Sequence, residues 1–203
     1  MEGTPTRSVL LRAALRRFDQ SGYEAATVAD ICGDAGASNG SFFHHFGSKQ
    51  GVAAALYVDA VTSYQACLVA PLSPRRPAAA GVAALVRGHL AWVVRERGAA
   101  RFLFEQGRAE WMSSVRDDVS RANAGFANAV DAWRLPHVQA GSLARMDTLV
   151  FLSQVLGPAQ VVCRFWLSGM THDDPRRHAA ALVQCAQRAL VIEPPKTSRL
   201  RSP

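Results

Sequence analysis

The forty residues from Leu10 to Lys49 leave little choice but three short helices folded onto one another. Leu10, Ala14 and Phe18 recur every four residues and Leu11 and Leu15 widen the stripe, which is the buried face of an amphipathic helix. Gly22 follows the last periodic residue, where a left-handed residue can end a helix, and Tyr23 is then free to fold back onto the stripe. Thr27 is suited to cap a second helix because its hydroxyl can accept an orphan N–H of the first turn. Val28, Ile31 and Cys32 give that helix an apolar edge, and Gly36 allows a sharp turn. Ser38 is the next cap; the helix it opens runs toward His45 and is pinned by Phe42 and Phe46. Gly47 and Ser48 close it, with Ser48 capping a fourth helix.

A short glycine-containing turn between two such helices is the signature of a helix-turn-helix. In that motif the second helix enters the major groove of DNA with its N-terminal residues first. Here those residues are Ser38, Asn39, Gly40 and Ser41. Asn can pair bidentately with adenine, and Ser can bond a base edge or a phosphate. Gly40 removes bulk where backbone must approach the duplex.

The segment resembles the TetR (tetracycline-repressor) family of transcriptional regulators. The matching pieces are AALRRF at 13–18, the Gly22, Tyr23, Thr27, Val28 junction, and the run from Ala35 to Lys49. The resemblance covers roughly residues 5–65 and implies an all-α protein of about nine helices. It implies a DNA-binding domain at 5–65, with its helix-turn-helix at 28–47, and a helical effector-binding and dimerisation domain at 66–193. It also implies that Thr27, Ser48 and Lys49 hold the phosphate backbone, and that Ser38, Asn39, Gly40, Ser41 and His44 face the groove. Phe43 stands where the family usually has Tyr, so its contact would be to sugar or a thymine methyl rather than to phosphate. Asn39 replaces a common Lys or Arg, and Arg17 a usually apolar residue.

Charge does not locate the DNA surface. The chain carries a formal +7, but residues 1–50 hold five cations (Arg7, Arg12, Arg16, Arg17, Lys49) and five anions (Glu2, Asp19, Glu24, Asp30, Asp34). With so few cations per copy, a modest salt dependence of DNA binding and a dimer are expected.

With 49% apolar residues over 203 positions there is ample material for a core. No unbroken apolar run approaches the roughly 18 to 20 residues of a bilayer span, and no apolar leader opens the chain, so a cytoplasmic protein is expected. Cys32, Cys67, Cys163 and Cys185 have no metal-ligand spacing and read as reduced thiols. His44 and His45 are neighbours, so on a helix they point about 100° apart and cannot share a metal. No nucleotide-binding glycine loop or nucleophile elbow is present. No metal, no cofactor and no enzymatic activity are expected.

Beyond Lys49 the pattern stays helical. Helices are expected at about 48–68, 78–95, 99–110 and 113–133, with a break at Gly98 and proline loops at 71–77 and 135–141. The most apolar stretch, 142–168, contains Pro158, where a kink or break is expected. Asp174 and Pro175 open a last helix running to about Val191, followed by a basic tail at 194–203 expected to be disordered. Large side chains at Trp92, Phe102, Phe104, Trp111, Met112, Phe126 and Trp133, with Glu105 and Arg108 nearby, have the make-up either of plain core or of a pocket. The resemblance implies the pocket, and a small, hydrophobic effector. Leu149, Leu152, Val155, Leu156, Val162, Phe165 and Trp166 exceed what one intramolecular face needs. The resemblance supplies the partner: helices 142–168 and 175–191 of a second copy, so that a homodimer meets pseudo-palindromic, double-stranded operator DNA.

Overall fold

The structure is a computed structural model that describes residues 4–106 and 110–192. Its α-helices are α1 (Thr4–Ala25), α2 (Val28–Ala35), α3 (Asn39–Phe46), α4 (Lys49–Val69), α5 (Ala78–Arg95), α6 (Arg97–Gln106), α7 (Arg116–Gln139), α8 (Thr148–Leu167) and α9 (Ala179–Leu190). Short 3-10 turns at Glu110–Val115 and Pro175–His178 lead into α7 and α9. The class is all-α; the one β-type contact among the described residues is a bridge between Leu143 and Val191.

The starts follow side-chain chemistry. Thr27, Ser38 and Ser48 each accept a backbone N–H two or three residues into the helix they open. Asp174 does the same for the turn beginning at Pro175. Within α1 the helical geometry breaks at Gly22, which has φ 81°.

Two buried clusters result. The first is built from α1 to the early part of α4, with Leu10, Ala14, Phe18, Ile31, Phe42 and Val52 at its centre. The second is built from the end of α4 and from α5, α7, α8 and α9, around Leu68, Leu90, Trp92, Trp133 and Phe151. α4 runs unbroken through both, so the boundary expected after residue 65 falls inside a helix. Phe102, Trp111 and Val115, from the larger unit, complete the first cluster rather than the second.

Several boundaries differ from the sequence reading. The turn before α6 falls at Glu96, and Gly98 lies inside that helix. α6 is described to Gln106, residues 107–109 lie outside the described set, and Glu110 belongs to the 3-10 turn that follows. α7 does not stop at Trp133; it continues through Pro136 to Gln139. Side chains around the proline hold the last turn in place. Trp133 Nε1 and His137 Nε2 both reach the Arg76 carbonyl, at 3.1 and 3.0 Å. Buried Arg134 pairs with Asp131 and donates to the Met146 carbonyl and Thr148 Oγ1. Those tertiary bonds outweigh the one backbone bond that Pro136 removes. α8 is likewise continuous across Pro158, but begins only at Thr148, because Leu143 and Met146 are used as extended anchors. The tail at 194–203 lies outside the described residues.

α4 and α8 are long and apolar enough to cross a bilayer by length and composition, which a search for unbroken apolar runs does not register. α4 packs against α1, α5, α6 and α7, and α8 against α5 and α9.

Candidate nucleic-acid interface and ligand cavity

The turn between α2 and α3 is closed by backbone. Ala37 N–H bonds the Cys32 carbonyl at 3.0 Å and Gly36 N–H the Gly33 carbonyl at 3.3 Å, with Gly36 left-handed at φ 60°. That closure aims α3 outward. Phe42 is fully buried beneath it, with Phe46 tilted against Phe42 at 5.6 Å. On the opposite side Ser38, Asn39, Gly40 and His44 are exposed, Ser41 is half-buried, and Phe43 is 50% exposed. All six therefore sit together on one helix tip or beside it. The tip is braced from behind by α4: a Cβ on Gly51 would collide with the Phe46 carbonyl, so glycine there permits the two helices to meet end to start.

The backbone-holding set changes more. Lys49 does not project toward a ligand. Its ammonium donates to the carbonyls of Tyr23, Glu24 and Ala26 at 3.0, 3.1 and 3.1 Å, and lies 4.6 Å from the Tyr23 ring centroid. All three protons are spent at the end of α1, so Lys49 is a brace in this structure. Thr27 is also committed. Its hydroxyl donates to Asp30 at 2.7 Å while accepting the Asp30 N–H at 3.1 Å. These bonds hold the Asp30 carboxyl below its usual range, so an anion stands where phosphate was expected. Ser48 uses only a lone pair to cap α4, accepting from Gly51 N–H at 3.0 Å, and keeps a proton to donate. Arg17 pairs with Asp34, its Nε at 2.9 Å from Oδ2, and ties α1 to α2. Arg7 was not singled out by the sequence. Its guanidinium lies 5.5 Å from the Phe46 ring, which puts an exposed cation beside α3. Its only sequence signal is being a basic residue near the start of α1.

A cavity of about 600 Å³ opens between α4, α6, α7 and α8. Its walls are Tyr57, Val61, Tyr64 and Gln65; Leu103 and Phe104; Asn123, Phe126 and Ala127; and Thr148, Leu149, Leu152, Ser153, Leu156 and Gln160. Gln65 donates to Asn123 across it at 2.7 Å. Of the expected pocket residues only Phe104 and Phe126 line it, and Trp92 lines a smaller pocket beside it. Phe102 and Trp111 stack on one another (centroids 6.0 Å, 8° between planes), and Phe102 stacks on Phe18 of α1. Met112 packs on the first cluster, Glu105 is exposed, and Trp133 is core. Arg108 lies outside the described residues. Three of the four tryptophans fill space away from the cavity, while Tyr57, Tyr64, Phe104 and Phe126 stand among its walls. The missed residues 57, 61, 64 and 65 do share a helical face, and that spacing was the available signal.

α8 turns its faces unequally. Val155 and Leu156 are buried in the chain's own core, so they are not free for a partner as the sequence reading had them. Leu152, Val162 and Trp166 are half-buried, and the Arg97 guanidinium covers the Trp166 ring at 4.6 Å. Val150, Val161 and Phe165 (46%) form the outward apolar stripe, and at 100° per residue they lie opposite the core face at 155, 156, 159 and 163. Leu149, 76% exposed in the first turn, lies instead on the cavity side.

Residues 10–56 match the family model for bacterial regulatory proteins of the tetR family. Over this segment the chain is similar to the TetR family. Over 53 residues it is 43% identical to the HTH-type transcriptional repressor AcnR of Corynebacterium glutamicum, a match spanning 26% of this chain and 28% of that protein. Among solved structures, a tetR-family regulatory protein from Rhodococcus aligns with a TM-score of 0.72 at 22% identity, over 94% of this chain and all (100%) of the other. The FadR regulator of Bacillus subtilis, solved with stearoyl-CoA, aligns with a TM-score of 0.72 at 15% identity, over 88% of this chain and 96% of its own. At those identities the structures establish a shared fold across almost the whole of this chain. The family is one of transcription regulators rather than enzymes.

Proposed function

We propose that this protein is a homodimeric, sequence-specific regulator of transcription, acting in the cytoplasm as a repressor that a small molecule releases from its operator. The observation that carries the DNA part is the presentation of α3. Its polar tip at Ser38, Asn39, Ser41 and His44 is exposed, while Phe42 anchors the opposite side. Asn39 is the base reader in this reading, and Ser48 and Arg7 hold backbone. The proposed DNA-binding unit ends within α4, and the larger unit carries ligand and partner.

The dimer reading rests on the outward stripe of α8. Three apolar residues on one helix face, Val150, Val161 and Phe165, each about half exposed, are the kind of patch that a second copy covers. Release follows from the position of α6. Leu103 and Phe104 face the cavity, whereas their neighbour Phe102 stacks on Phe18 and Arg101 pairs with Asp19 of α1 at 2.6 Å. A ligand that pushes on α6 would move α1, and with it the spacing of two recognition helices. Only such differential binding to two arrangements can couple the sites.

Selection of bound oligonucleotides by the purified full chain tests the reading; a palindrome with half-sites about one helical turn apart is expected. Asn39→Ala should then relax preference at one base pair per half-site, at a cost of about 1–3 kcal/mol. Equal losses on selected and random DNA would remove Asn39 from base reading. Recovery of no enriched sequence would overturn the function.

A further inference from the structure

His89 on α5 is 1% exposed, and its Nε2 has no hydrogen-bond partner among the described residues. A buried polar atom of this kind costs stability unless something completes it. The ring lines a pocket of about 40 Å³ with Trp92, Leu103, Phe104 and Gln160. Four wall residues, Tyr64, Leu103, Phe104 and Gln160, are shared with the large cavity, so the small pocket is its inner end.

The Tyr64 hydroxyl lies 2.8 Å from His89 Nδ1. The neighbouring Gln160 side chain favours negative charge on the Tyr64 oxygen, as a donor to that oxygen does. A phenol so placed gives its own proton to Nδ1, and the imidazole then carries its proton on Nε2. Burial pushes the His89 pKa down to about 4, so the ring is neutral near pH 7. At the inner end of the cavity Nε2–H is thus a donor without a partner among the described residues, beside the Gln160 amide. Among the described residues no Asp, Glu, Lys or Arg lines the cavity. The Arg164 guanidinium, 6.0 Å over the Phe104 ring, is not a lining group. A charged ligand group brought inside would be stripped of water with no counter-charge.

Resting on the reading of this cavity as the effector site, we propose that its ligand is an uncharged, largely apolar molecule bearing one oxygen acceptor, which His89 Nε2–H receives at the inner end. An acyl chain with an ionised head is excluded from that end.

Four probes of equal chain length separate the possibilities: methyl nonyl ketone, undecane, undecanoate and undecylamine. Binding to the full chain is followed by quenching of tryptophan fluorescence, since Trp92 lines the inner pocket. The ketone should bind roughly three- to tenfold more tightly than the hydrocarbon, the range expected for one buried hydrogen bond, and more tightly than either ion. In His89→Phe the ketone should lose that advantage while undecane binds as before. Nitrogen NMR supplies a readout that needs no variant: the His89 Nε2–H resonance should be present in the free protein, and should move with ketone but not with undecane. An Nδ1–H tautomer, preference for undecanoate or undecylamine, or a ketone advantage that survives His89→Phe would each overturn the inference while leaving the cavity as a ligand site. Binding of none of the four overturns both. Ketone binding that leaves the operator complex intact overturns the release mechanism alone.

Discussion

Lys49→Met separates two roles that the sequence alone confuses. If Lys49 touched phosphate, its loss would leave stability unchanged and lower the salt slope of DNA binding by about one, the contribution of one neutralised phosphate. The structure assigns the ammonium instead to three carbonyls at 3.0–3.1 Å and to the Tyr23 ring. A hydrogen bond to a charged group contributes about 1.5–3 kcal/mol, and an exposed cation–π contact about 0.5–1. The bonds to the Tyr23 and Ala26 carbonyls are partly buried, and the bond to Glu24 is exposed. Water can take over much of what the ammonium leaves, so the sum is not additive. Retaining about one such bond gives an expected loss on the order of 2 kcal/mol. For a chain of this length that is a drop in Tm of roughly 4–8 °C. Methionine keeps the stem's volume, so packing is not the variable. Thermal unfolding by circular dichroism and a salt titration of operator binding measure both quantities on one preparation. Unchanged Tm with a salt slope reduced by about one would refute the brace and restore the phosphate contact.

Phe165→Glu should put a charge in the centre of the proposed dimer face without touching the core, and sedimentation should show a shift toward monomer at micromolar concentration; an unchanged dimer would move the interface elsewhere. Burial of His89 makes stability pH-dependent. Its folded value of about 4 lies below the ordinary 6.5, so the unfolded chain takes up the proton first as pH falls. The stability tied to the neutral ring is complete above pH 6.5 and is lost toward pH 4, with about 2 kcal/mol gone between pH 7 and pH 5. Urea unfolding at those two pH values should show a wild-type loss that His89→Phe lacks, and equal losses in both proteins would place the proton elsewhere. Arg101→Ala breaks the pair with Asp19 and should reduce the effect of cavity ligand on operator affinity more than it changes either affinity alone. Equal coupling in wild type and variant would remove α6 from the path.

The helix-turn-helix was legible because its information is local. The caps at Thr27, Ser38 and Ser48, the turn at Gly36 and the Phe42 anchor each act within a few residues of sequence, and all of them stand in the structure as read. The pocket was legible only as a composition. Trp92, Phe102, Trp111 and Trp133 were conspicuous by size, yet size is what drives a side chain to fill core. The walls are instead a mixture of aromatic, aliphatic and amide side chains from four helices, whose convergence has no trace in any one segment. The limits at Pro136 and Pro158 were misjudged for a related reason: local propensity is worth a few kcal/mol, and remote anchors such as the Arg76 and Met146 carbonyls can outweigh it.

Local pattern by itself was enough to determine an all-helical chain, the order of its first four helices and the residues at the tip of α3. Periodicity and capping are interactions between near neighbours. Tertiary structure alone decided that Lys49 points inward to close α1, that Asp30 occupies Thr27, and that α8 turns Val155 and Leu156 to the core and Val161 and Phe165 to the outside. It alone left the Nε2 of His89 without a partner among the described residues at the end of an apolar cavity. Each of these depends on which distant groups arrive at the same place, and that is settled only when helices far apart in sequence pack together.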